Sequence, residues 1–300
     1  MNPGGLFTNV VKSFQGAERQ RALNSFLLWL SENSTQLVLL IIFIIASLTL
    51  PNFLTSFNLS AIAFQYSIIG FLALGQLLVI LTEGIDLSQG SMVAFTSIVV
   101  ATLMQSQPFP VAIIGGALAA VLLGFVSGIL VSRTAIPAFI VTLGMLGVAR
   151  GLALLISDAN PISIDNEIFT SFGRYKILGI PASFLLWLLV AVALFFFLKR
   201  RRLGRHIYAV GGSEESARLS GVNVQRIKLS VYVLSALLTG IGGIIWAARL
   251  RSGSPIGGVN YELESIAAVV VGGGSLFGGI GSVWGTVAGV LLFGVINSIL

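Results

Sequence analysis

Asn33 to Thr82 reads NSTQLVLLIIFIIASLTLPNFLTSFNLSAIAFQYSIIGFLALGQLLVILT, fifty consecutive residues without Asp, Glu, Lys, Arg or His. A bilayer's hydrocarbon core takes about 20 apolar residues per helix, so this run holds two spans separated at Pro51-Asn52 and Asn58. A second uncharged run, Leu87 to Ser132, is forty-six residues long and holds two more. Period-2 alternation and aromatic girdles are absent from the sequence, which favours a helical bundle over a barrel. The fold class is therefore all-α, a polytopic transmembrane helical bundle.

Working outward by apolar length and turn residues, nine membrane segments are expected. They lie at about 35–54, 59–81, 87–104, 111–132, 135–157, 180–198, 229–248, 262–277 and 283–300. Four regions follow: an N-terminal segment 1–34, a first helical group 35–198, a polar loop 199–228 and a second helical group 229–300. Glu18 to Asn33 places Ala22, Leu23, Phe26, Leu27 and Leu30 near one helical face, as an interfacial helix or as a lead-in to the first span. No cleavable signal peptide is visible at the N-terminus.

Composition agrees with a membrane protein. Hydrophobic residues are 56% of the chain and charged residues 9%, against about 25% charged in soluble domains. The chain has no cysteine, which removes disulfides, thiolate metal sites and thiol catalysis. Its one histidine, His206, cannot alone build a metal site or a triad, and no cofactor is implied. The net charge of +6 raises the question of nucleic acid, but its distribution answers it. With a cytoplasmic N-terminus, twelve of the seventeen basic residues fall in inside segments, four fall outside, and Arg150 lies within a span. That is positive-inside topology and not a nucleic-acid surface. It puts 199–228 in the cytoplasm, and puts 157–180 and 249–264 outside.

Lys199 to Lys228 is the longest polar interruption that reads as a built element. Ser213 is an N-cap, Glu214 and Glu215 sit in the first turn, Arg218 lies near the last, and Gly221 is a left-handed stop. The expected product is a capped surface helix of about two turns, roughly 12 Å long.

Two acids interrupt the first group. Asp86 with Gln89 three residues on resembles a capping box that opens the next helix. Glu83 has no such local role and is a candidate to line a pathway or to pair with Arg150. Arg150 itself either snorkels outward or pairs with an acid. The run Val271 to Gly281 lacks the Lys-Ser/Thr of a phosphate loop, so a tight re-entrant turn or close helix packing is expected. Gly116–Leu123 matches Gly285–Leu292 at five of eight positions, each copy preceded by an acid-Leu pair, Asp86-Leu87 and Glu262-Leu263. The two copies run in opposite directions by the span count, as an inverted repeat requires.

Three motifs carry a family resemblance: Gly84-Ile-Asp-Leu-Ser88; Leu203 to Gly212 continuing through Ala217-Arg-Leu-Ser-Gly221; and Tyr261 to Leu276. In this order they resemble the membrane permeases of bacterial ABC importers for ribose and related sugars, over about residues 35 to 300. The resemblance implies a type II importer bundle of about ten spans, so one C-terminal family span is missing after Leu300. It implies a homodimer in the bacterial inner membrane, two cytoplasmic ABC ATPase subunits and a periplasmic sugar-binding protein. It also makes Ser213 to Ser220 the coupling helix, with Gly204, Gly211, Gly212 and Gly221 turning the loop and Glu214, Glu215 and Arg218 facing the ATPase. The path candidates are Glu83, Asp86 and Arg150, and the chain itself is not an enzyme. Glu83 and Gln89 depart from the family's usual small residue and Val. A stand-alone secondary transporter and a branched-chain amino acid permease are the alternatives.

Overall fold

The computed structural model describes residues 33–299. The interfacial-helix expectation at Glu18 to Asn33 therefore lies almost wholly outside the described residues. Helices dominate, in the order α1 (Ser34–Thr49), α2 (Ser56–Leu81), α3 (Gln89–Met104), α4 (Phe109–Arg133), α5 (Ala138–Ile156), then a short α6 (Glu167–Phe172). After them come α7 (Ala182–Arg200), α8 (Arg202–Gly212), α9 (Glu214–Leu219), α10 (Val224–Leu250), α11 (Tyr261–Val271) and α12 (Val283–Ile299). Among the described residues, α2, α4, α5, α7 and α10 are long and apolar enough to cross a membrane, while α1, α3 and α12 are shorter apolar helices.

The bundle is organised around α2. From Tyr66 to Leu81 every residue of this helix is buried, polar Ser67 and Gln76 included. An apolar helix buried all round belongs at a centre, and α10, α11, α12 and α7 pack around it. The outward faces of α4, α5 and α7 are the reverse. Leu118, Leu122, Leu143, Leu155, Leu189 and Phe196 are large, apolar and exposed, as lipid-facing residues are.

Interhelical hydrogen bonds sort the connections into two ends. At one end Gly279 N–H donates to Leu81 O at 3.1 Å, Tyr208 OH donates to Gly281 O at 2.9 Å and Thr35 Oγ1 donates to Val271 O at 2.6 Å. At the other, Gln105 Nε2 donates to Ser163 O at 2.9 Å, Ile164 N–H donates to Arg251 O at 2.8 Å and Ser298 Oγ donates to Asn58 Oδ1 at 3.0 Å.

Three expectations need correction. The all-α reading omits two antiparallel pairs of two-residue strands, β1 (Ile162–Ser163) with β4 (Ser252–Gly253), and β2 (Lys176–Ile177) with β3 (Ile180–Pro181). These tie the connecting segments of the second end, where backbone N–H and C=O groups outside helices need partners. The segment expected at 262–277 stops as a helix at Val271, because Gly273, Gly278 and Gly279 adopt φ of +87°, +80° and +71°. The polar segment 199–228 is not one helix in a loop but two helices plus the start of a third, since α8 fills Arg202–Gly212 and α10 begins at Val224.

Candidate functional site

The first end of the bundle gathers Leu81–Ser88, Arg133–Pro137, α8, α9 and the Gly272–Gly281 turn. Each piece has a local reason for its shape.

Helix α2 closes in a Schellman motif, with Gly84 N–H donating to Val79 O at 3.0 Å and Glu83 N–H to Ile80 O at 2.9 Å. The left-handed residue of that motif is usually glycine. Here it is Glu83, with φ +62°, and its side chain is exposed. An L side chain in this conformation costs about 1 kcal/mol, which gives a physical reason for a small residue at this position. Glu83→Gly is accordingly expected to raise stability by about 1 kcal/mol in thermal unfolding of the detergent-solubilised protein. An unchanged or lower midpoint would show the strain to be relieved elsewhere.

Asp86 follows, 1% exposed. Its Oδ1 accepts from both Ser88 N–H, at 3.0 Å, and Ser88 Oγ. The Gln76 carboxamide, oriented with its nitrogen toward the Asp86 carbonyl, donates to that oxygen at 3.2 Å and accepts from the Asp86 N–H at 3.1 Å. The expected capping box is not formed. Gln89 turns away from Asp86: its Nε2 donates to Leu72 O and Ser235 Oγ, both at 3.1 Å, and its Oε1 accepts from Ser265 Oγ at 2.9 Å. Gln89 thereby joins α3 to α2, α10 and α11. Asp86 instead ties down the turn before α3, a structural role reached by a different hydrogen-bond pattern, and its Oδ2 accepts from Ser235 Oγ at 3.5 Å.

Arg150 belongs to the opposite end. Its Nη1 donates to Pro255 O at 2.6 Å and Gly257 O at 3.0 Å, so α5 holds the α10–α11 connection. It does not pair with Glu83, and it does not extend freely to the surface. The three path candidates are thus separated: Glu83 faces a cavity at one end, Asp86 is sealed in the bundle and Arg150 clasps backbone at the other end.

The segment Ser213 to Gly221 comes closer to expectation. Ser213 Oγ accepts from Ser216 N–H at 3.2 Å and caps α9. Gly221, φ +81°, stops it in a second Schellman motif, with Gly221 N–H donating to Arg218 O and Val222 N–H to Ala217 O, both at 3.0 Å. The helix proper has six residues, less than the two turns expected. Asn223 Oδ1 accepts from Arg226 N–H at 3.0 Å and starts α10 immediately.

Glu214 is not a free surface acid. Its Oε1 accepts from Arg218 Nη2 at 2.9 Å and its Oε2 from Lys228 Nζ at 2.6 Å. The Lys228 ammonium and the Arg218 guanidinium hold its carboxyl below the ordinary glutamate range. This carboxylate fastens α9 to the base of α10. Glu215, Arg218 and Leu219 remain on the exposed face, and Leu219 is 83% exposed.

Gly204 and Gly211, expected to turn a loop, do not do so. Both lie inside α8, on its buried face with Ile207 and Val210. A Cβ on Gly204 would sit 2.5 Å from Leu198 Cα, and one on Gly211 would overlap the Leu81 carbonyl. Their missing side chains allow α8 to touch α7, the end of α2 and the Gly279 backbone. Gly212 ends α8 with open space around it, and among these four glycines Gly221 is the one with a left-handed conformation.

Between α9 and the α4–α5 connection lies a cleft of about 420 Å³ lined by Thr82, Glu83, Thr134, Pro137, Glu214 and Lys228, among others. Sequence reading missed Lys228, Tyr208 and Leu219. A leucine in an otherwise polar six-residue helix, two positions after the buried Ala217, is the signal that could have found the last of these. Among the described residues no group of three or more His, Cys, Asp or Glu forms a metal site.

The described residues thus form an apolar helical bundle with a capped polar helix fastened at one end. The chain belongs to the family described as branched-chain amino acid transport system / permease component, whose model matches residues 58–300. It is 41% identical over 275 residues to the ribose import permease protein RbsC of Escherichia coli K12, covering 90% of this chain and 86% of that protein. It is 38% identical over 294 residues to the D-allose transport system permease protein AlsC of the same strain, covering 97% and 90%. It is 39% identical over 264 residues to the L-arabinose ABC transporter permease protein AraH of Azospirillum brasilense, covering 87% and 77%. No solved structure matches the chain.

Proposed function

We infer that this chain is the membrane permease subunit of an ATP-driven importer for a monosaccharide, ribose or a related sugar. The observation that carries the reading is the similarity to ribose, allose and arabinose permeases over nearly the whole chain. In this reading nine segments cross the bacterial inner membrane, with α11 and its glycine turn counted as one. The N-terminus is cytoplasmic, and the end bearing α8 and α9 faces the cytoplasm. Two copies enclose the path, and the two halves α3–α4 and α11–α12 are inverted copies of one unit.

Alpha-9 is the coupling helix. It presents Glu215, Arg218 and Leu219 to a groove of the ATPase subunit, while Glu214 turns inward to Lys228. A push on α9 is then carried by Lys228 into α10, which packs along α2, α3 and α4. Glu83 lines the cleft that such a movement would open or close. The opposite end, with the 157–180 segment and Arg251–Asn260, receives the sugar-loaded binding protein. ATP hydrolysis belongs to the partner.

Charge reversal on the exposed face tests this directly. Arg218→Glu or Glu215→Arg in the assembled complex is expected to cut sugar-stimulated ATPase activity and uptake together, by about tenfold for a lost coupling energy near 1.4 kcal/mol. Wild-type uptake and ATPase rates in both variants would remove α9 from the coupling role.

A further inference from the structure

The largest of the cavities described shares no lining residue with the cleft beside α9. It is a groove of about 650 Å³ between α7 and α10, floored by Leu78 of α2. Val190, Leu194, Phe197, Leu234 and Leu238 form its sides, and Arg200 and Arg201 close it at the end where α7 finishes.

We propose that this groove binds one anionic phospholipid of the leaflet at the α8–α9 end, with its acyl chains along α7 and α10 and its phosphate between Arg200 and Arg201. Length supports the assignment. From Val190 to Arg200 the helix rises about 15 Å at 1.5 Å per residue, half of a hydrocarbon core about 30 Å thick. The apolar part therefore matches one leaflet, and the guanidinium groups reach headgroup depth. Charge supports it as well. Both arginines are exposed, and neither guanidinium has an acidic partner among the described residues, where the two ion pairs both involve Glu214. Arg205 adds a third guanidinium beside them, donating to Arg200 O at 3.2 Å. A second copy of this chain presenting the same face is a poor occupant, because that face carries Lys199, Arg200, Arg201, Arg202 and Arg205. A lipid supplies both the missing anion and the missing apolar cover.

The assignment goes beyond transport and requires only that the chain sits in a bilayer, so it stands or falls separately from the importer reading. The test is native mass spectrometry of the full-length protein in detergent, equilibrated with equal amounts of phosphatidylglycerol and phosphatidylcholine of the same acyl chains. The expected result is retention of phosphatidylglycerol about fivefold or more above phosphatidylcholine. R200Q/R201Q is expected to lower that retention about fivefold or more, to the level of phosphatidylcholine, while R200K/R201K preserves it. Ala193→Trp, which fills the groove, is expected to remove both lipids. Arg226→Gln, a charge lost outside the groove, is expected to change nothing, and inorganic phosphate alone is expected not to displace the lipid. Equal retention of the two lipids, or full retention by R200Q/R201Q, would overturn the proposal. So would disulfide crosslinking of two copies through Leu237→Cys in native membrane, which would make the groove a contact between copies.

Discussion

Gly211→Ala is expected to destabilise the protein by about 3 kcal/mol and to abolish uptake, whereas Gly212→Ala, one residue further on, is expected to be neutral or mildly stabilising. The difference lies in what a methyl group meets. At Gly211 it meets the Leu81 carbonyl, with Gly279 N 2.6 Å away, so both obstacles are backbone. Neither can rotate aside like a flexible side chain, and inserting a group there must separate α8 from the end of α2 and from the glycine turn. Overpacking of this kind costs about 1–3 kcal/mol, and rigid neighbours put it at the upper end. The same separation breaks the hydrogen bond from Gly279 N–H to Leu81 O, which joins the turn after α11 to the end of the central helix. At Gly212 the new methyl group meets nothing within 4 Å, and alanine favours a helix over glycine by about 0.5–1 kcal/mol. Thermal unfolding in detergent and uptake in cells check both substitutions. Equal midpoints for the two variants would contradict the packing at α8.

The second large effect is expected at the Glu214–Lys228 contact. If α9 couples as proposed, Glu214→Lys should leave folding nearly intact and reduce sugar uptake. The pair is partly exposed, with 38% of the glutamate and 21% of the lysine side chain accessible, so its loss should cost under about 1 kcal/mol of stability. In the proposed coupling its effect is larger than its energy, because this contact ties α9 to α10 across the Gly221 stop. Uptake is expected to fall about tenfold or more, in the range of ordinary coupling energies, while binding-protein-independent ATPase activity persists. The charge-swapped pair Glu214→Lys with Lys228→Glu should recover part of the uptake. Failure of the swap, together with intact folding, would show that the contact is not the strut. The pH dependence follows from the same pair. Glu214 has its carboxyl pKa depressed in the folded protein, so its contribution is present above the ordinary glutamate pKa. It is lost as pH falls through the lower folded value, and the protection of the α9 amides, relative to the intrinsic exchange rate at each pH, should fall there.

The sequence reveals most where the governing interactions are local. The caps of α9 follow from Ser213 three residues before Ser216 and from a glycine at position 221, and the structure forms both. The uncharged runs mark α1 to α4 because burial in lipid needs only length and the absence of charge. Where tertiary contact decides, the residues mislead. Gly204, Gly211 and Gly212 look like turn residues, yet all three are helical, two of them because a neighbouring backbone leaves no room for a Cβ. Gln89 sits at capping-box spacing from Asp86, but its partners Leu72, Ser235 and Ser265 come from three other helices. Lys228 lies fourteen residues from Glu214 and reaches it only because Gly221 reverses the chain. Arg150 hydrogen-bonds carbonyl groups, with the acid Glu262 nearby but not hydrogen-bonded to it, and no pattern of spacing announces a carbonyl.

The measurement that bears most directly on the importer reading is sugar uptake by proteoliposomes holding this chain, alone and with the ATPase and binding protein that co-purify with it. Uptake of ribose or a related monosaccharide is predicted only with both partners and ATP inside, and none by the chain alone. Equilibrating uptake by the chain alone, indifferent to ATP, would mark a facilitator and contradict the account.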